Sequence, residues 1–137
     1  MKIFKWCPEI ALKRCLEWFE PNHVHICIRS LGREVVKPNC DGQAMFLAFH
    51  DIGDNAPEEY KDGLFTEAHA KSIVEFVNST PNEKLIVVNC EAGISRSAGV
   101  VLAMRRHFGG DTEEVYKKAM PNILVTSLVS RVLGGQI

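Results

Sequence analysis

Apolar positions along this chain recur with two periods, and stretches of one kind alternate with stretches of the other. Ile3 to Trp6 reads as a short strand. Pro8 stands where a first helical turn accepts proline, and Ala11, Leu12, Cys15, Leu16 and Phe19 follow at three- and four-residue spacing. That pattern predicts an amphipathic helix over 8–20, which Pro21 stops. Val24 to Ile28 is rich in β-branched residues and predicts a strand. Gly32, Pro38, Asn39 and Gly42 mark 29–42 as a loop. Ala44 to Phe49 is a continuous apolar run, the pattern of a buried strand, and 50–63 is a polar, acidic loop. Phe65, Ala68, Ser72, Ile73, Phe76 and Val77 predict a second helix that Thr66 caps. Leu85 to Val88, after the turn residues Pro81 and Asn82, predicts a central strand. The rest reads as helical: 97–108 up to Gly109-Gly110, then 112–119, then 123–133 before Gly134-Gly135.

Strands alternating with helices predict an α/β fold, with a central, mostly parallel sheet of about four to five strands flanked by helices. A length of 137 residues with 46% hydrophobic and 24% charged residues suits one soluble domain over 1–137, with no internal repeat. The net charge of −1 gives no electrostatic reason to expect nucleic acid or an anionic membrane as a partner. No apolar run reaches the ~18–20 residues that span a bilayer, and Met1 to Trp6 lacks the pattern of a signal peptide. Cys7, Cys15, Cys27, Cys40 and Cys90 are odd in number and show no CxxC pair, so all except Cys90 read as plain reduced thiols in a reducing cytoplasm, and a metal site is not expected. His23, His25, His50 and His69 have no metal-ligand spacing, and Arg105, Arg106 and His107 read as a solvated helix end.

The chemistry concentrates in Leu85 to Val100, where a strand runs into Cys90, a five-residue loop follows, and Arg96 opens an apolar helix. Such a loop turns several backbone N–H groups inward, and these donors with the helix dipole make an anion cradle. The cradle comprises Glu91, Ala92, Gly93, Ile94, Ser95 and Arg96, with Gly93 permitting a backbone that other residues resist. The planar guanidinium of Arg96, six residues after Cys90, suits two phosphate oxygens at once. The field that attracts phosphate also favours the thiolate of Cys90 over the thiol, so one arrangement binds the electrophile and activates the nucleophile.

Asn89-Cys90-Glu91-Ala92-Gly93-Ile94-Ser95-Arg96-Ser97 resembles the signature H-C-x-x-G-x-x-R-S/T of the protein tyrosine phosphatase superfamily at every defined position except the first. The order of elements over about 44–133, including Pro121-Asn122 before the last helix, is similar to the compact dual-specificity branch. The resemblance implies a cysteine-phosphatase-like fold and a reaction through a cysteinyl-phosphate. In it Cys90 is the nucleophile, Arg96 stabilises the phosphoryl group, Ser97 hydrogen-bonds the sulfur, and an aspartate serves as acid and then base, with no cofactor or metal. Asp51 is best placed for the aspartate, Asp54 nearly as well, and Asp62 behind them. The implied partners are a phosphoprotein or phosphopeptide substrate and a phosphate or other oxyanion in the site. Phosphotyrosine leads, and a shallow pocket admits phosphoserine and phosphothreonine too. Asn89 replaces the family's His, donating a hydrogen bond without carrying charge. That departure keeps a phosphate-binding pseudophosphatase open as an alternative. A related enzyme on a non-protein substrate, such as a nucleotide, an RNA 5′-phosphate or arsenate, also remains open. Glu91, with no lysine in the loop, argues against phosphoinositides, and its side chain reads equally as a solvated carboxylate.

Overall fold

The β-branched runs of the sequence pair into one sheet in the computed structural model, which describes residues 2–11, 23–33, 43–53 and 55–134. Its strands are β1 (Ile3–Pro8), β2 (His23–Arg29), β3 (Ala44–Ala48) and β4 (Leu85–Cys90), ordered β1-β4-β2-β3 with every neighbouring pair parallel. The helices among the described residues are α1 (Glu67–Ser79), α2 (Arg96–Phe108), α3 (Thr112–Lys118) and α4 (Ile123–Gly134). The α/β reading with a parallel four-stranded sheet therefore holds, and β4 is central, as its unbroken apolar run required.

The core lies between one face of the sheet, carrying Phe4, Ile26, Ile28, Ile86 and Val88, and the helices α1, α2 and α4. Helix α1 buries Ala70, Ile73, Val74 and Val77, the i, i+3, i+4, i+7 stripe of a helix with one wet face. Thr66 caps it as expected. Its hydroxyl accepts from the His69 N–H at 3.3 Å, and His69 Nδ1 accepts from the Thr66 N–H at 2.9 Å. Helix α2 is buried continuously from Arg96 to Arg105, so the helix that follows the candidate loop is held from all sides. Gly99 allows α4 to approach it, since a Cβ there would sit 3.0 Å from the carbonyl oxygen of Asn122.

Several expectations need correction. The run Ala44–Phe49 is not a buried strand: among the described residues β3 is the sheet edge, paired only with β2, and none of its residues is fully buried. Phe49, just beyond it, is the residue that enters the core. Pro8 ends β1 opposite Cys90 instead of opening a helix, at a strand end where its missing N–H matters least. A short three-ten turn over Glu9–Ala11 follows, and the rest of the helix expected over 8–20 lies outside the described residues, as do Cys15, Cys40 and most of the loop 29–42. The loop 50–63 contains a three-ten turn, Glu58–Gly63. Arg105 is buried rather than solvated. It donates to the carbonyls of Phe4 (2.9 Å) and Asp111 (2.7 Å), pairs with Glu114 at 2.8 Å, and lies over Trp6, tying β1, α2 and α3 together. Among the described residues, no helix is long and apolar enough to cross a membrane.

Candidate active site

Strand β4 delivers Cys90 to the carboxyl end of the sheet, where ligands of parallel sheets commonly bind. The loop Glu91–Ser95 turns there and feeds Arg96 into the first turn of α2. Gly93 makes the turn possible for two reasons. Its φ is +69°, and a Cβ would fall 2.2 Å from the backbone nitrogen of Pro8.

The orientation of the loop's peptide groups follows from what their carbonyls do. Glu91 O accepts from the Glu9 N–H (3.3 Å), Ile94 O from the Met120 N–H (2.9 Å), and Ser95 O from the N–H groups of Asn122 (3.0 Å) and Gly99 (2.9 Å). In a planar trans peptide the next N–H points opposite to the carbonyl. The framework that captures these oxygens therefore turns the N–H groups of Ala92, Ser95 and Arg96 away from itself, as an anion cradle requires. The Gly93 N–H points at the Cys90 Sγ, 3.2 Å away, and the Ser97 Oγ lies 3.1 Å from the same sulfur. Cys90 and Ser97 are both buried.

Arg96 is equally constrained. One terminal nitrogen donates to the Phe49 carbonyl (2.8 Å) and the Ser30 hydroxyl (3.2 Å), and the other lies 3.7 Å from a Glu91 carboxylate oxygen. Its Nε is buried and has no partner among the described residues. A buried guanidinium N–H without an acceptor is uncommon and unfavourable. The Nε edge is thus the part of the fork that the described residues leave without an acceptor.

Glu91 sends only its backbone to the cradle. Its carboxylate accepts from the Ser30 N–H (2.7 Å) and pairs with Arg33 (3.1 Å) as well as Arg96, so it is not simply solvated. Partial burial pushes this carboxyl up, but the Ser30 contacts with Arg96 and Arg33 outweigh that and hold it below the usual carboxylate range.

A cavity of about 600 Å³ opens above the loop, and Asp51, Cys90, Ala92, Ser95 and Arg96 all line it. Asp51 is the third residue after β3, and one of its oxygens accepts from the Ser95 hydroxyl (2.7 Å) and from the Asn122 side-chain amide (2.8 Å). Both bonds fall on the same oxygen, Oδ1. Asp62 lies in the exposed three-ten turn and does not line the cavity, and Asp54 lies outside the described residues. Asn89 is buried on the opposite face of β4 from Cys90, in register with Cys7 and Cys27, and its Oδ1 has no partner among the described residues.

Two contributors escaped the sequence reading. Asn122 caps α4 through the Val125 N–H (3.1 Å), a role that an Asn before a helix does announce. Its second bond, to a carboxylate 71 residues earlier, has no sequence signal. Ser30, which touches both Glu91 and Arg96, has none either.

No family model matches the chain, and no curated protein matches it in sequence. Solved structures do. A human tyrosine phosphatase-like serine/threonine/tyrosine-interacting protein superposes with a TM-score of 0.62 at 19% identity, covering 94% of this chain and 89% of that one. A variant of human DUSP28 gives 0.61 at 17%, covering 98% and 93%. PTPMT1, solved in complex with PI(5)P, gives 0.55 at 14%, covering 97% and 91%. At these identities the likeness is one of architecture, and it is nearly end to end: this chain has the α/β fold of the dual-specificity and protein tyrosine phosphatases.

Proposed function

We propose that this protein is a cysteine-dependent phosphatase that hydrolyses phosphotyrosine in proteins or peptides, with phosphoserine and phosphothreonine as further substrates, in the reducing cytoplasm. One observation carries the reading. A buried thiol, held by a hydroxyl at 3.1 Å and an amide at 3.2 Å, lies at the base of a cavity that an arginine and a carboxylate also line.

The steps use side chains already in place. The Cys90 sulfur attacks phosphorus, forming an S–P bond as the ester P–O bond breaks. Asp51 gives its proton to the departing oxygen. The cradle amides and the Nε edge of Arg96 take the charge on the phosphoryl oxygens. Asp51, now a carboxylate, removes a proton from water as that water attacks phosphorus. The S–P bond then breaks, and the Ser97 hydroxyl donates to the sulfur as it leaves as thiolate. The open cavity, wider than a phosphate needs, supports the broader substrate range.

A second reading, a phosphoryl-binding protein without turnover, draws support from Asn89 in place of the signature's His, with its buried Oδ1 without a partner among the described residues. Hydrolysis of an aryl phosphate across pH separates the two. Turnover by the wild type is expected, with loss in Cys90→Ser and a fall of about 100-fold or more in Asp51→Asn that also removes one limb of the pH profile. Binding of phosphate without hydrolysis would leave only the second reading.

A further inference from the structure

The cavity is larger than a phosphoryl group and its outer wall is made of a different material. Beyond Cys90, Arg96, Asp51 and the polar Ser95 and Asn122, the lining is mostly apolar, with Ile52, Ile94, Met120, Pro121, Ile123 and Leu124. Three of these stand open to solvent, with Ile94 at 47%, Met120 at 77% and Ile123 at 81% exposure. Large apolar side chains gathered at one mouth mark a contact surface in a way that scattered ones do not. The mouth is also fixed, because the Met120 N–H donates to the Ile94 carbonyl (2.9 Å) and the Asn122 N–H to the Ser95 carbonyl (3.0 Å). Charge narrows the occupant. Among the described residues, Arg96 is the one cation lining the cavity, and Glu91 lies 3.7 Å from it. Asp51 adds a carboxylate to the wall, and Arg33 is paired with Glu91 and Glu9. Among the described residues, an acidic flank next to the phosphate finds no partner in this lining, and neither does the anionic surface of a membrane.

We infer that Ile94, Met120 and Ile123 form a specificity collar that receives an apolar side chain next to the phosphorylated residue, making the substrate class phosphopeptides with apolar flanks rather than acidic ones. This rests on the reading of the loop as a phosphoryl site. The test measures binding, so that it does not depend on turnover. Fluorescent phosphotyrosyl peptides flanked by Leu and Ile, or by Glu and Asp, are titrated into Cys90→Ser and into Cys90→Ser carrying Met120→Lys and Ile123→Lys. The apolar-flanked peptide is expected to bind at least about ten-fold tighter than the acidic one to the first protein, and the ratio is expected to fall to one or below in the second. Equal binding, a preference for acidic flanks, or a ratio untouched by the lysines overturns the collar. So does tighter binding of vesicles containing a phosphoinositide than of any peptide. A wild type that hydrolyses aryl phosphate yet shows no flank preference removes the collar and leaves the phosphatase. Preference without hydrolysis does the reverse.

Discussion

Replacing Glu91 by Gln separates two effects of one carboxylate, and the contacts say which prevails for each observable. The amide can still accept from the Ser30 N–H, now 2.7 Å from a carboxylate oxygen, but no longer pairs with Arg33 at 3.1 Å or Arg96 at 3.7 Å. The Arg33 pair is largely exposed and contributes at most about 1 kcal/mol. The Arg96 contact matters more because its guanidinium is buried, and weakening a charge-assisted bond to Ser30 adds to the loss. Together these place the cost at about 1–2 kcal/mol, a drop of roughly 3–8 °C in Tm. Anion binding moves the other way. Arg96 remains pinned by the Phe49 carbonyl at 2.8 Å and by Ser30 at 3.2 Å, so its position survives the change. What disappears is a negative charge beside the cradle. For unit charges roughly 7 Å apart at an effective dielectric of about 40, that repulsion is about 1 kcal/mol, or about five-fold in affinity. The assay is a thermal melt of wild type and Glu91→Gln with and without inorganic phosphate. A lower Tm with a larger phosphate-induced rise is expected. If the phosphate response shrinks, Glu91 acts by orienting Arg96 and the electrostatic argument is wrong. If Tm does not change, the ion pairs contribute nothing.

Two further predictions follow from the fold. His25 is fully buried on the sheet face away from α1, α2 and α4, and burial, reinforced by His23, lowers it from 6.5 to about 4. The unfolded chain binds more protons between those values, so stability is full above pH 6.5 and falls by about 3 kcal/mol as pH drops to about 4. Glu91 and Glu114, both held below the usual carboxylate range, add their losses at lower pH still. Urea unfolding of His25→Leu should lack the decline between pH 6.5 and 5, and a decline equal to wild type would refute the assignment. Gly93→Ala forces a Cβ at φ +69° to within 2.2 Å of the Pro8 nitrogen, against backbone that cannot swing aside. A loss of at least about 3 kcal/mol is expected, with phosphate no longer raising the Tm, and a Tm within 2 °C of wild type would show that the loop relaxes freely.

The sequence disclosed the parts of this molecule whose signals are local. Thr66 before α1, the stripe of Ala70, Ile73, Val74 and Val77, the β-branched run of β4 and Gly109 after α2 each state a periodicity or a cap within a few residues, and each element formed where expected. The signature from Cys90 to Ser97 was legible for the same reason, since the chain itself brings sulfur, amide and hydroxyl together within eight residues. Burial of β3 was misjudged because an apolar run reveals hydrophobicity without revealing sheet order, and order places this strand at the edge. The reading of Arg105 fails because a cation at a helix end looks solvated until two other elements, β1 and α3 with its N-cap, supply its acceptors. The contacts of Asp51 with Asn122 and of Glu91 with Ser30 span 71 and 61 residues, distances at which no periodicity operates.

The departure at Asn89 carries less weight in three dimensions than in the signature. Alternation along β4 turns residue 89 to the face opposite Cys90, between Cys7 and Cys27 on the neighbouring strands. The side chain there starts out on the face of the sheet away from the sulfur. The loop has supports of its own: Glu9, Met120 and Asn122 hold its carbonyls, Gly93 lies against β1, and the Glu91 carboxylate anchors it to Ser30. These contacts come from β1, from the segment after β2 and from the segment leading into α4, so loss of a single charge beneath the loop leaves the amides and Arg96 where they are. Asn89 Oδ1 is buried and has no partner among the described residues, and an acceptor left so costs on the order of 1–3 kcal/mol of folding free energy rather than altering the geometry of the sulfur and the guanidinium.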